Sequence, residues 1–281
     1  MSKPLLSHEQ IEQFNEEGFL VIKGFYDLSA EIEPIQYGIW KIINLLIRKF
    51  HIPVQELPFS PRTFDHGYRE LIAENRRYGG LVYDAVKQIP AFMRLFSLQK
   101  NELLFSQMRG TDMPGIAALG YGIRIDNPNE EKYRSLWHYE YRDQLRSVDG
   151  IVFWSPLVPI VEGLGPVQIC PGSHKGGLRR SYLKDPENPD KTGAYAMRIE
   201  NEAELLKQYG VIAPLSEPGD LVLMDFLTLH SSGKNISSRS RWSMQFRYFN
   251  YNDPTGIRIN WTGCVMNGVQ LKDVHPELVI E

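Results

Sequence analysis

From Arg241 to Tyr248 the chain alternates without a break, with Arg241, Ser243, Gln245 and Arg247 falling between Trp242, Met244, Phe246 and Tyr248. Successive side chains of a strand point to opposite faces, so this segment reads as a strand with one apolar and one polar face. Such a strand needs a sheet around it, and the sequence supplies one. Short β-rich runs at 119–125, 150–154, 167–170, 221–226 and 242–249 are separated by Gly, Pro, Asn and Asp. Their spacing predicts a mainly β fold, a double-sheet jelly roll (double-stranded β-helix).

Ahead of these strands, residues 29–105 have a mostly helical pattern, broken by a loop near 53–61, and are expected to act as scaffold. Ser7 with Gln10 has the form of a capping box opening a helix that runs to Gly18, and a short strand follows at 19–22. For a chain of 281 residues the expectation is one catalytic domain. It comprises a helical scaffold with a short N-terminal strand (1–116), a jelly-roll core (117–255) and a C-terminal tail (256–281). A loop and helix insertion interrupts the core near 180–210. The Pro-, Asp-, Asn- and Lys-rich stretch at 184–193 reads as a mobile surface loop, followed by a helix near 203–208.

Composition excludes several classes. A formal charge of -3 without a basic block argues against nucleic acid as a partner. The most apolar stretch, 35–47, contains Lys41 and stops at Arg48; it reads as a buried helix and not as a membrane span. The opening MSKPLLSHEQ lacks an apolar leader, so the cytoplasm is the expected location. Cys170 and Cys264 are expected to be reduced thiols.

Three residues stand out as metal ligands. His138 and Glu140 are two apart in WHYEY, and on a strand both would project from one face. His230 closes the run GDLVLMDFLTLH, which reads as a single apolar strand. Two histidines and one carboxylate form the facial triad of non-haem iron(II) oxygenases, which leaves coordination positions open. If the polar face of the last strand lines the interior, Arg241 becomes a donor fork suited to a ligand carboxylate; Arg239 has the same parity. His275 and Glu277 form a second His-x-acid pair, but Pro276 lies between them in a charged tail, and no metal role is assigned. His174 is expected to hydrogen-bond locally, and Lys175, Arg179 and Arg180 to form a solvated face.

The motifs HYE, GLGPVQICPGSHKGG and PGDLVLMDFLTLHSSGKN with the following Arg241, together with the opening LSHEQIEQFNEEGFLVIKGF, resemble the phytanoyl-CoA dioxygenase (PhyH-like) family of Fe(II)/2-oxoglutarate-dependent oxygenases. The resemblance implies Fe(II), with 2-oxoglutarate and O2 as co-substrates, and hydroxylation of a small molecule with release of succinate and CO2. It makes His138, Glu140 and His230 the iron ligands and Arg241 the partner of the distal carboxylate of 2-oxoglutarate. Ser232 and Trp154 resemble positions that contact 2-oxoglutarate, and Tyr139, beside the first histidine, is placed within reach of it; Arg124 ranks lower. The sequence departs from the family at Glu140, where aspartate is usual. Glutamate adds one methylene, about 1.5 Å of reach, and its oxygen remains a hard ligand for iron(II). The competing expectation is a non-catalytic jelly-roll binding protein that retains a 2-oxoglutarate-like pocket, with Glu140 only pairing with an arginine such as Arg142; Asp143 ranks below Glu140 as the acidic metal ligand.

Overall fold

The computed structural model describes residues 4–190 and 198–280. In chain order it contains α1 (His8–Glu17), β1 (Phe19–Ile22), α2 (Glu33–Lys49), α3 (Tyr68–Glu74), α4 (Arg76–Val86), α5 (Pro90–Phe96) and α6 (Gln99–Arg109). Then come β2 (Pro114–Ile116), β3 (Gly122–Asp126), α7 (Glu140–Gln144), β4 (Gly150–Pro156), β5 (Val167–Ile169), β6 (Ser181–Tyr182) and β7 (Arg198–Ile199). The remainder is α8 (Glu202–Tyr209), β8 (Leu221–Asp225), β9 (His230–Ser232), β10 (Arg241–Asn250), α9 (Pro254–Arg258), α10 (Cys264–Asn267), α11 (Leu271–Val274) and β11 (Val279–Ile280).

The main sheet runs β1-β8-β4-β10-β2, with β3 beside β2 on the same edge of β10, and its paired strands are antiparallel. A smaller antiparallel pair, β5-β9, carries His230. A third sheet, β11-β6-β7, joins the C-terminal segment to the body of the fold. The alternation along β10 sorts its two faces between two environments. Trp242 meets the rings of Phe64 and Tyr68 at 5.8 and 5.0 Å, and Tyr248 meets Phe105 at 5.9 Å, so the apolar face is buried under the helices. Burying aromatic rings of this size contributes a large share of core stability, with about 150–250 Å2 removed from water for each. Arg241, Gln245 and Arg247, on the opposite face, line an internal cavity.

Helix α1 begins as the sequence implies, with Ser7 Oγ accepting from the Gln10 amide and Gln10 Oε1 accepting from the Ser7 amide. It ends at Gly18, whose φ of 72° lies in the left-handed region. The Gly18 carbonyl accepts from the Asp225 amide at 2.9 Å and the Thr228 hydroxyl at 2.7 Å, which ties this corner to the turn before His230. Among the described residues, no helix is long and apolar enough to cross a membrane.

Three features differ from the sequence reading. Strand β8 stops at Asp225 instead of continuing to His230. Asp225 accepts from the Leu227 amide through its side chain and from the Thr228 amide through its carbonyl, so the chain turns, and His230 opens β9 in the other sheet. The strand expected at 119–125 begins only at Gly122, because Leu119 adopts a φ of 61°. Short β2 lies before it and carries no alternation long enough to read. The expected C-terminal tail contains α9, α10 and α11; Asp253 caps α9 by accepting from the Gly256 amide, a signal hidden among polar loop residues. The helix expected at 203–208 is α8, whereas residues 191–193 of the expected mobile loop lie outside the described residues.

Candidate metal centre

His138 and His230 come together through their main chains. Each backbone N–H donates to the other's carbonyl, at 3.0 Å from His138 and 2.9 Å from His230, which makes an antiparallel bridge. Their rings stand 4.2 Å apart. On the other side of His230, Ile169 of β5 is its register partner. Glu140 does not lie on a strand, as the i, i+2 spacing had implied. Tyr139 is extended and Glu140 is the first residue of α7, so the extended character that places His138 ends one residue before the acid.

The polar atoms nonetheless converge. Glu140 Oε2 lies 3.5 Å from His230 Nε2 and 3.9 Å from His138 Nε2. Among the described residues, His138, Glu140 and His230 are the one group of three such side chains able to hold a metal ion, with one candidate atom from each lying within 4.8 Å of the others. His138 Nδ1 is 2.7 Å from the Leu136 carbonyl and His230 Nδ1 is 2.9 Å from that of Thr228. A carbonyl only accepts, so each Nδ1 carries the hydrogen and each Nε2 presents a lone pair to the centre.

Glu140 is 2% exposed and is held by Arg247, whose Nε donates to Oε1 at 2.8 Å. Oε2 is buried without a hydrogen-bond partner. Burial alone would raise the carboxyl pKa, but opposing interactions led by the Arg247 charge hold Glu140 well below the usual carboxylate range. Burial, followed by the neighbouring His230, pushes the His138 imidazole well below its ordinary value. The pair that results, an ionised carboxylate and a neutral imidazole, suits metal ligation. The orphaned Oε2 faces both Nε2 atoms, a position that a divalent cation would satisfy and that the protein's own donors do not.

Arg241, Ser232 and Trp154 line the same cavity, which measures about 160 Å3. Arg241 Nη2 donates to Ser232 Oγ at 2.9 Å and to Asp126 Oδ2 at 2.6 Å, and Nη1 donates to the Gly165 carbonyl. Gly165 has a φ of 72°, and a side chain there would strike the Gly233 main chain; its lack of one lets the two loops close on Arg241. Arg124 also reaches the cavity and pairs with both oxygens of Asp126 at 3.0 Å.

Other candidates are placed elsewhere. Tyr139 is fully buried, and its hydroxyl donates to the Arg179 carbonyl at 2.7 Å; it is not part of the cavity wall. Arg239 is paired with Asp65 at 2.7 Å outside the cavity. Arg142 is bonded to Asp143 and not to Glu140. His275 Nδ1 lies 3.0 Å from Glu277 and its Nε2 lies 2.9 Å from the Tyr141 hydroxyl, while His174 Nε2 is 3.0 Å from the Asn15 carbonyl. Sequence reasoning missed Asp126 and the role of Arg247. Arg247 was recognisable as a polar-face residue of β10, but nothing local marks Asp126.

Comparison with known proteins agrees with this geometry. The family model described as Phytanoyl-CoA dioxygenase (PhyH) matches residues 134–243, a span containing His138, Glu140, His230 and Arg241. The ectoine dioxygenase of Sphingopyxis alaskensis is 35% identical over 244 residues, 83% of this chain and 72% of that protein. The 1-deoxypentalenic acid 11-beta-hydroxylase of Streptomyces arenae is 37% identical over 107 residues, 38% of this chain and 32% of that protein. Among solved structures, EctD from S. alaskensis with 2-oxoglutarate and 5-hydroxyectoine superposes with a TM-score of 0.58 and 18% identity, covering 90% of this chain and 79% of that one. The non-heme alpha ketoglutarate dependent carbocyclase SnoK from nogalamycin biosynthesis superposes with a TM-score of 0.54 and 14% identity, covering 88% and 85%. At these identities the superpositions speak for the fold alone.

Proposed function

Because this chain belongs to the phytanoyl-CoA dioxygenase family, we propose that it is an Fe(II)- and 2-oxoglutarate-dependent dioxygenase that hydroxylates a small molecule, releasing succinate and CO2. On this reading the main sheet and the β5-β9 pair are the two walls of a jelly roll, and the chain is one catalytic domain. His138, Glu140 and His230 hold the iron. The observation that carries the assignment is Glu140 Oε2, a buried carboxylate oxygen with no donor, set opposite two imidazole lone pairs. A two-histidine, one-carboxylate donor set suits iron(II) and leaves positions for co-substrates.

When bound, iron and 2-oxoglutarate supply the activation of O2, chemistry that no side chain here provides. The protein's part is positional. Arg241 and Ser232 receive the distal carboxylate of 2-oxoglutarate, with Trp154 packed beside them in the cavity wall. Asp126 keeps the Arg241 guanidinium in place, while Arg247 fixes one oxygen of Glu140 and leaves the other for the metal. Tyr139 is assigned to packing, because its hydroxyl is already engaged with Arg179.

Anaerobic titration with Fe(II) and 2-oxoglutarate tests the reading. The weak visible charge-transfer band of a chelated iron complex is expected in the wild type and lost in His138→Ala and His230→Ala. A wild type without the band, or an alanine variant that keeps it, overturns the assignment; an absent band favours a non-catalytic binding protein.

A further inference from the structure

Arg142 is a buried charge left over once the metal centre is accounted for. It is 2% exposed; Nη2 donates to Asp143 at 3.2 Å, and Nε and Nη1 are buried with no hydrogen-bond partner. A guanidinium stays charged at any accessible pH, and a buried donor left without a partner is costly to keep. Each of the described arginines lining the cavity has a carboxylate partner, Asp143 in the case of Arg142, but Arg142 leaves two buried nitrogens without any partner where Arg241 leaves one. Arg247 bonds Glu140, while Arg241 and Arg124 share Asp126.

The position of Arg142 is as informative as its lack of partners. Arg142 and Asp143 line the metal cavity and also a second cleft of about 570 Å3. Across that cleft stand the apolar side chains of Leu183, Val265, Val269 and Leu271. Among the described residues Arg142 is the cation that lines both cavities; it sits two residues from Glu140, beside a cleft whose walls are mostly apolar, with Lys184 and Gln270 as its other polar lining.

We propose that Arg142 recognises the primary substrate and that this substrate is an organic acid with an apolar body. Its carboxylate is taken by the idle nitrogens of Arg142 and its body lies against the Val265–Leu271 wall. A single negative charge is favoured over a phosphate dianion, because Asp143 already stands on the guanidinium and repels a second charge. The inference rests on the dioxygenase reading for the word substrate, but the acid site itself is measured independently.

The experiment is calorimetric titration of the protein, with and without anaerobic Fe(II) and 2-oxoglutarate, using octanoate, cyclohexanecarboxylate and benzoate, each beside its neutral amide. At least one acid is expected to bind ten-fold or more tightly than its amide. Arg142→Gln is expected to reduce the acid to the level of the amide while amide binding persists, and Arg142→Lys to restore part of the difference. The proposal is overturned if no acid in the wild type outbinds its amide, if Arg142→Gln leaves the preference intact, or if 2-oxoglutarate competes with the acid. The acid-to-amide comparison in the wild type decides the matter even if the variants fail to fold. A charge-transfer band without acid preference sinks this inference alone. Acid preference without the band overturns the dioxygenase reading and leaves Arg142 as the acid site of a binding protein.

Discussion

Arg247 Nε lies 2.8 Å from Glu140 Oε1, joining residues 107 apart in sequence inside the fold. The pair is buried, so its partners depend on each other. Removing one member of a buried ion pair costs about 3–5 kcal/mol, because the remaining charge is uncompensated. Arg247→Met is therefore expected to lower the melting temperature of the metal-free protein sharply. Fe(II) or Mn(II) should restore more stability to the variant than to the wild type, since the cation takes over compensation of Glu140. Equal losses with and without metal, measured by anaerobic thermal denaturation, would reduce Arg247 to a packing residue.

Glu140 is placed by a helix start and not by a strand, and its length is matched to Arg247 on one side and the histidines on the other. Glu140→Asp withdraws the carboxylate by about 1.5 Å and is expected to weaken Fe(II) binding by about 10–100-fold, in the range seen when metal-site support is disturbed. Glu140→Ala should abolish tight binding. Succinate release should rank Glu, then Asp, then Ala; an alanine variant with wild-type iron affinity would remove Glu140 from the ligand set.

The two candidate arginines have different fates in the fold. Arg241→Lys loses the planar fork that meets Ser232 and Asp126, so affinity for 2-oxoglutarate should fall by about ten-fold or more while Fe(II) still binds. Arg239→Lys disturbs a partly buried pair with Asp65 away from the cavity and should change that affinity by less than about two-fold, because neither partner lines the 2-oxoglutarate site. Competition against the iron charge-transfer band measures both, and a larger effect from Arg239 would reverse the assignment.

Asp126 links this site to acid stability. Burial would raise its carboxyl pKa, but Arg124 and Arg241 together hold it below the ordinary value of about 3.9. A depressed folded-state pKa contributes stability that is fully present above the unfolded value and is lost as pH falls through the folded one. Asp126→Asn should therefore be less stable than the wild type near neutrality, with the difference shrinking from about pH 4 downward. Urea denaturation at pH 3 to 7 measures it; a constant difference would mean that the ionised carboxylate is not the source.

Gly18 tests how strongly the N-terminal corner supports the site. Alanine there must adopt φ near 72°, and its Cβ would meet the Thr228 hydroxyl and the His174 ring. Gly18→Ala is expected to cost about 1–3 kcal/mol from backbone strain alone. Because the Thr228 carbonyl orients His230, iron affinity should fall as well. A variant that loses stability but binds Fe(II) as tightly as the wild type would separate the corner from the metal centre.

Much of this arrangement was legible because periodicity is local. The two faces of β10 follow from alternation alone, and the capping box at Ser7 follows from two residues three apart. The separation of His138, Glu140 and His230 onto a bridge, a helix start and a new strand was not legible. It depends on the Asx turn at Asp225 and on a main-chain pairing that no local pattern encodes. Asp126 was missed for a related reason: its meaning lies in Arg124 and Arg241, and only the β3-β10 register brings it to Arg241. Family resemblance proposed the ligand types, whereas the resting partners of Arg241 and Glu140 came from the fold.

The reciprocal pairing of the His138 and His230 main chains has a consequence for the order of folding. Contacts between distant parts of a chain form late, because their loop-closure entropy must be met before they stabilise anything. The two imidazoles share a register only after β9 has settled against both β5 and the 138 segment. On the proposed ligand set, partly folded chains are expected to lack the centre, so that iron would be taken up at the completion of folding rather than at its nucleation.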